Sequence, residues 1–549
     1  MKTYKALVVA VLCLVAAFVI KWILSPVKPS ANPTGTSSQS SQPVISYNVP
    51  CDVNSPTPSP SPCPSPSPSP SQNDWYNFGW QTFVALDWPA QSGGNLGQPN
   101  TSLSVGASAN GAFVPTVWAT YRDVSTVMLN NAASPGNWNS AQSVPSSCNT
   151  SNPPPTAPGF QPMVLDGSTF KGAPLTLDYV NQATGNPLVD QKGWFTIADI
   201  RIDQSEYEFI LQNAYYNGQN QIAAVKAGKF APFPKTGEPN NYNPPITLPQ
   251  YAQYGALEVK TTWRLLNPTT DQAIIPRYYT QWGYFLQPDG KTCSGPNLFG
   301  LIALHILRLT PTTPATWYWA TFEQVDNTNS PPQPTPTPAW TLTPPNPDNT
   351  CQNLGYSPTP APTPLSGNVP WPNQNWNNPN TANNICRVTP IPSAVQQVNS
   401  TWQAALSKTV WTYYQMVGTI NPCPTGSSSC VQMPYAFGTP TPTPTPVPLV
   451  NTADLANTAI ESYGQATTSG VNSCLDCHAF ATPQPNSQPP DPSLQVFTFV
   501  LQNAFTSTGQ VATSRRRFVE LLEKASKQRA MAQPGAQKKP QDDKYKQKH

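Results

Sequence analysis

Leu298-Phe299-Gly300-Leu301-Ile302-Ala303-Leu304-His305-Ile306-Leu307-Arg308-Leu309 is apolar on both faces when read with the two-residue period of a strand. Pro296-Asn297 and Thr310-Pro311 bound it, as turn residues bound strands. On either side lie similar segments rich in aromatic and β-branched residues: Trp194 to Arg201, Ala256 to Leu266, Arg277 to Leu286 and Thr316 to Val325. Together they predict a mainly β protein with a few helices, an α+β chain whose body is antiparallel. Helical spacing is expected over Glu206 to Tyr216 and over Ser393 to Val417. In the second, Val398, Trp402, Ala405 and Met416 fall on one face and Ser393 serves as cap. A third helix is expected over Thr452 to Tyr463.

Composition bounds the rest. Of 549 residues, 69 are proline, so part of the length is linker. Charged residues are 10% of the chain and the formal net charge is +3, while 16 Trp, 21 Tyr and 19 Phe require a core to bury them. A wholly disordered polyelectrolyte is excluded. Residues 25–71 form a Pro/Ser-rich linker with polyproline character. The β-rich body is expected over 72–438 with Pro-rich loops at 331–366, and a Thr-Pro linker follows at 439–450. Residues 451–510 form a short, mostly helical segment, and 511–549 a basic helix and tail. From 515 onward there are eleven Lys or Arg and four acids, which reads as a solvated tail; a nucleic-acid partner is not expected.

Residues 1–24 carry two lysines ahead of the uncharged run Ala6 to Ile20, the pattern of an export signal. At about 1.5 Å per residue, 6–24 would cover roughly 28 Å, so an uncleaved signal anchor is favoured over a cleaved signal peptide. The expected location is the periplasm or cell surface, with the inner membrane contacted through this segment if it is retained. Eight of the eleven cysteines (Cys51, Cys63, Cys148, Cys293, Cys351, Cys386, Cys423 and Cys430) are then available for disulfides. Cys423 and Cys430 close a small polar loop and form the expected local bridge.

Residues 474–478 read Cys-Leu-Asp-Cys-His. Cys474 and Cys477 at this spacing can form thioethers with the two vinyl groups of one haem, which places His478 beneath the iron as the proximal ligand. A thioredoxin-like pair would not need the histidine, and a zinc site lacks partner ligands. The expected cofactor is therefore one covalent haem c. The chain has three histidines, so a second imidazole ligand must be His305 or the terminal His549. His305 is the candidate distal ligand, against its bland reading as a satisfied core residue. Met416 and Met433 are the alternatives, with Met128 and Met163 behind them and Met531 in the tail set aside. Core packing is the competing role of each methionine.

Several blocks extend the reading: Trp80-Gln81-Thr82-Phe83-Val84-Ala85-Leu86-Asp87-Trp88-Pro89, Val117-Trp118-Ala119-Thr120-Tyr121, Ala256-Leu257-Glu258-Val259-Lys260 with Trp263-Arg264, Gly300 to Ile306, Trp319 to Asn327, Leu455-Ala456-Asn457-Thr458 and Phe497 to Leu501. In this order, ahead of and around the Cys-x-x-Cys-His motif, they resemble a family of large bacterial exported proteins with one C-terminal haem c motif, catalogued as cytochrome c family proteins. The resemblance implies an envelope haem protein and no defined reaction. The Thr-Pro insertions and the basic tail depart from the family pattern.

The leading functional expectation is electron transfer by a monohaem cytochrome with redox partner proteins yet to be identified. A haem enzyme with an open sixth iron position is the alternative, with no catalytic residues to name. An adhesion or filament-forming surface protein carrying a haem is the third.

Overall fold

The computed structural model describes residues 43–53, 70–166, 188–286, 293–328, 340–344, 382–432, 449–465, 478, 481 and 497–505, with short gaps inside some of these ranges. The export segment, Cys474, Cys477, Met433 and the expected helix after Ser514 lie outside them. Among the described residues, no helix is long and apolar enough to cross a membrane.

The doubly apolar run lies in β8 (Cys293–Arg308), and every residue from 298 to 309 is buried. β8 is central in an eight-stranded sheet. Along one side it pairs antiparallel with β6 (Leu257–Leu266). Along the other, its first half pairs with β7 (Thr280–Leu286) and its second half with β9 (Tyr318–Gln324), both antiparallel. β10 (Tyr414–Ile420) flanks β9, and β5 (Ile197–Ile202) and then β3 (Arg122–Asp123) lie beyond β6. β4 (Met163–Asp166) pairs parallel with β7. Two short ribbons stand apart, β1 (Ser108–Ala109) with β2 (Ala112–Phe113), and β11 (Val431–Gln432) with β12 (Leu449–Val450). The chain is thus β-rich and largely antiparallel, with five helices among the described residues.

Helix α1 (Gln72–Leu86) starts at a reciprocal cap: the Ser71 hydroxyl accepts from Asp74 N, and the Asp74 carboxylate accepts from Ser71 N at 2.8 Å. It packs on the sheet face that carries Phe322. Phe83 stacks on Phe322 at 4.2 Å, and Trp80 meets that ring edge-on at 5.0 Å. Gly79 permits the approach, because a Cβ there would lie 2.5 Å from Tyr318 Oη and 2.6 Å from Met416 Cε. The remaining helices are α2 (Val124–Val127), α3 (Gln204–Gln212), α4 (Gly218–Lys226) and α5 (Ser393–Ala405).

Three expectations need correction. The helix read over 393–417 ends at Ala405; a 3-10 turn follows at Val410–Tyr413, and the chain then enters β10. Pro392, not Ser393, is the residue before the first helical turn, and no side chain caps it. Residues 455–462 are irregular where a helix was expected. The physical reason in the first case is that residues 414–420 pair with β9 as an edge strand, with a β-bulge between Met416 and Gly418. Buried Asn399 satisfies the backbone groups the bulge frees: its Oδ1 accepts from Met416 N at 3.0 Å and its Nδ2 donates to Met416 O at 2.8 Å. The same Oδ1 accepts from Trp80 Nε1, so one amide joins α1, α5 and β10.

Disulfides link Cys423 to Cys430, as the local spacing predicted, and Cys148 to Cys293, which ties a loop to the start of β8. Cys51 and Cys386 are disulfide-bonded as well.

Candidate functional site around His478 and His305

Strand alternation sorts the sequence candidates between the two sheet faces. Phe322 and its cross-strand partner Met416 face α1. Trp319, Thr321 and Glu323 alternate to the other face, together with His305, which pairs with Thr321 on β9 and Lys260 on β6. Met416 is therefore a core residue under α1, on the face away from His305. Met128 is also in the core, and Met163 is partly buried on β4.

The second face is covered by two returning stretches of the C-terminal region. Residues 455–462 dock through polar side chains. Asn457 Nδ2 donates to Thr321 Oγ1 (2.9 Å) and Phe322 O (2.8 Å), and Thr458 Oγ1 donates to Glu323 Oε2 at 2.7 Å. Glu323 is also paired with Arg387 and accepts from Gln415. Residues 497–505 dock beside α4 and β6: Gln221 Nε2 donates to Leu501 O at 3.0 Å, Gly218 N to Phe505 O at 2.8 Å, and Thr498 Oγ1 to Glu258 Oε2 at 2.7 Å.

His478 sits between these stretches, half-buried. Its Nδ1 lies 2.8 Å from Phe497 O; since a carbonyl only accepts, Nδ1 carries the proton and Nε2 keeps its lone pair. The ring is held edge-on by Trp319 at 4.3 Å and by Phe499 at 4.8 Å. Burial pushes its pKa down to about 3, with Lys260 and His305 acting in the same sense and the Phe497 carbonyl and Glu461 opposing. The imidazole is consequently neutral near pH 7.

His305 is 2% exposed, and its ring centroid is 6.3 Å from that of Trp319, so this indole neighbours both histidines. Its Nε2 faces Glu461 Oε2 at 3.4 Å, longer than a strong hydrogen bond. Burial alone would raise the Glu461 pKa; His305, Lys260 and the Asn457 amide outweigh it and hold the carboxyl below the usual range.

The motif histidine and the internal histidine, nominated separately from sequence, thus share one side of the sheet and one neighbouring indole. Sequence reasoning did not single out Glu461, Glu258, Thr498 or the carbonyl of Phe497. Glu258 had a readable signal as a lone acid within the apolar strand 256–266; a backbone carbonyl has none. Among the described residues, no cluster of three or more His, Cys, Asp or Glu could hold a metal ion.

No family model, curated protein or solved structure matches this chain.

Proposed function

We propose that the protein is a monohaem c-type cytochrome that carries electrons in the cell envelope. One observation carries the reading: the histidine of the Cys-x-x-Cys-His motif has Nδ1 tied to a backbone carbonyl, which leaves the ring's lone pair on Nε2, and two aromatic rings hold the imidazole edge-on. Metal-binding histidines are oriented in this way, and the neutral imidazole is the form that ligates. The residues present therefore fit the group.

In this reading Cys474 and Cys477 would tether a haem through thioethers and His478 Nε2 would hold its iron. Bound there, haem iron supplies a one-electron couple. Trp319 and Phe499 hold the imidazole edge-on, and the Phe497 carbonyl fixes its tautomer. His305 would be the second imidazole to hold the group, with Glu461, 3.4 Å from its Nε2, as a supporting carboxylate. The disulfides support an oxidising compartment outside the cytoplasm.

The test is intact mass and absorption spectra of the exported protein. One covalent haem with six-coordinate, low-spin iron is expected. High-spin iron that binds added small ligands would favour the haem-enzyme reading instead. Free thiols at Cys474 and Cys477 with no cofactor mass would overturn the proposal. Unchanged low-spin bands in His305→Ala would remove His305 as ligand and leave the rest standing.

A further inference from the structure

Glu258 on β6 and Glu206 in the first turn of α3 are 5% and 0% exposed, and the core around them offers little positive charge. Neither Glu206 oxygen has a hydrogen-bond partner among the described residues. A carboxylate without partners is costly to bury, whereas the neutral acid costs far less. Three elements face the pair. From the cap of α3 comes Asp203, a third carboxyl, already engaged by the N–H groups of Ser205, Glu206 and Leu257. From β6 comes Lys260, two residues beyond Glu258. From the C-terminal stretch comes Thr498, whose hydroxyl is the direct partner of Glu258. Behind Asp203 stand Arg308 and the phenols of Tyr121, Tyr242 and Tyr254. Burial pushes the Glu258 pKa up to about 7, against the Thr498 hydrogen bond and Lys260. Burial, and then Glu258 and Asp203, raise that of Glu206 well above the carboxylate range.

This pair reaches the candidate centre through one residue. Thr498 Oγ1 donates to Glu258 and accepts from Val500 N at 3.0 Å, which fixes a tight local turn. The residues on either side of Thr498 are the ones that hold His478: Phe497 by its carbonyl, Phe499 by its ring. Phe497 has φ 57°, a left-handed conformation that a bulky residue adopts only when its surroundings impose it. The aim of that carbonyl is thus set by what Thr498 grips.

Resting on the haem reading above, we infer that Glu258, with Glu206 as its charged neighbour, is a positioning residue for His478 that acts through Thr498 and couples the reduction potential of the centre to pH. Deprotonation adds a buried negative charge on the His478 side of the sheet and strengthens the grip on Thr498, since a charged acceptor binds a hydroxyl more tightly than a neutral one. Both favour the oxidised, more positive centre. By linkage, adding one electron from a one-electron reductant raises the proton affinity of the pair, and the proton taken up comes from solvent.

The experiment is potentiometric titration of the haem-loaded protein from about pH 5.5 to 8.5, a range that brackets the pair and avoids ordinary carboxylates. The wild type is expected to lose potential as pH rises, with its steepest fall near pH 7. Glu258→Gln and Glu206→Gln are expected to flatten the profile, Thr498→Val to weaken it and Thr498→Ser to preserve it. A readout independent of haem is the infrared carbonyl band of protonated carboxyls, expected to titrate near pH 7 and to lose its Glu258 share in Glu258→Gln while the Asp203 share remains. Should Glu258→Gln fail to fold, Glu206→Gln carries the same test. A haem-loaded chain whose potential ignores both substitutions overturns this inference alone. A chain that matures without haem overturns the functional reading and this link with it.

Discussion

Asp203→Asn isolates the electrostatics of the corner between β5 and α3 with a minimal change of shape. Asp203 is fully buried and caps α3, accepting from Ser205 N at 3.2 Å and Glu206 N at 2.9 Å, and from Leu257 N at 3.0 Å across the corner. Burial pushes its pKa up to about 7, against those three N–H groups and Arg308. The folded chain therefore keeps a proton where the unfolded chain, with an aspartate pKa of about 3.9, has lost it. The contribution to stability is fully present below about pH 4, declines as pH rises toward 7 and is constant above. At about 1.36 kcal/mol per pKa unit, the whole range is worth about 4 kcal/mol, and the interval from pH 5 to pH 8 about 2 to 3 kcal/mol. Asn keeps the two bonds made to Oδ1, from Glu206 N and Leu257 N, gives up the longer one from Ser205 N, caps as well as Asp and does not titrate. The stability of the variant relative to the wild type should rise by that interval between pH 5 and pH 8. Urea unfolding followed by tryptophan fluorescence, with disulfides intact and ionic strength fixed, measures it. Parallel pH dependences in the two proteins would refute the reasoning, because they would mean that Asp203 is already ionised at pH 5.

Gly79→Ala should cost about 1 to 3 kcal/mol in the same unfolding assay, because the added methyl meets Tyr318 Oη, which is fixed by its bond to Trp75 O, and not only the flexible end of Met416. Asn457→Ala removes both bonds to β9 and leaves the Phe322 carbonyl short of a partner. A loss of about 1 to 3 kcal/mol is expected, read locally as faster amide exchange across 455–462. Cys148→Ser opens a bridge between residues 145 apart, for which chain entropy predicts a loss of about 4 to 5 kcal/mol. A change in unfolding free energy below about 1 kcal/mol would place the weight of that bridge elsewhere.

The strands were legible where burial on both faces wrote itself into composition. β8 and β6 carry continuous aromatic and aliphatic residues because packing covers them on each side. α1 was not read as a helix: Trp75, Tyr76, Phe78, Trp80, Phe83 and Val84 are all buried, so its polar face shrinks to the narrow stripe Asn73, Asn77 and Gln81. The join of α5 to β10 misled for the opposite reason. Met416 happens to continue the spacing of Val398 and Trp402, yet Tyr414 to Ile420 had the composition of a strand. At the candidate site, the motif identified His478 from five consecutive residues, and scarcity of histidine pointed to His305. Their partners could not be read in the same way. Glu258 meets Thr498 across 240 positions and Asn457 meets Thr321 across 136, and no local pattern encodes contacts made by strand register and chain return.

The pairing of β11 with β12 brings Val431 opposite Val450, so the two ends of the stretch that carries the Thr-Pro repeat meet side by side. Doubling its length would cost about 0.6 kcal/mol of closure entropy and shortening it would return a similar amount, without moving any strand. Repeat slippage in the gene could therefore expand or contract this stretch freely, which makes it the natural place to insert a tag, a fluorophore or a foreign domain.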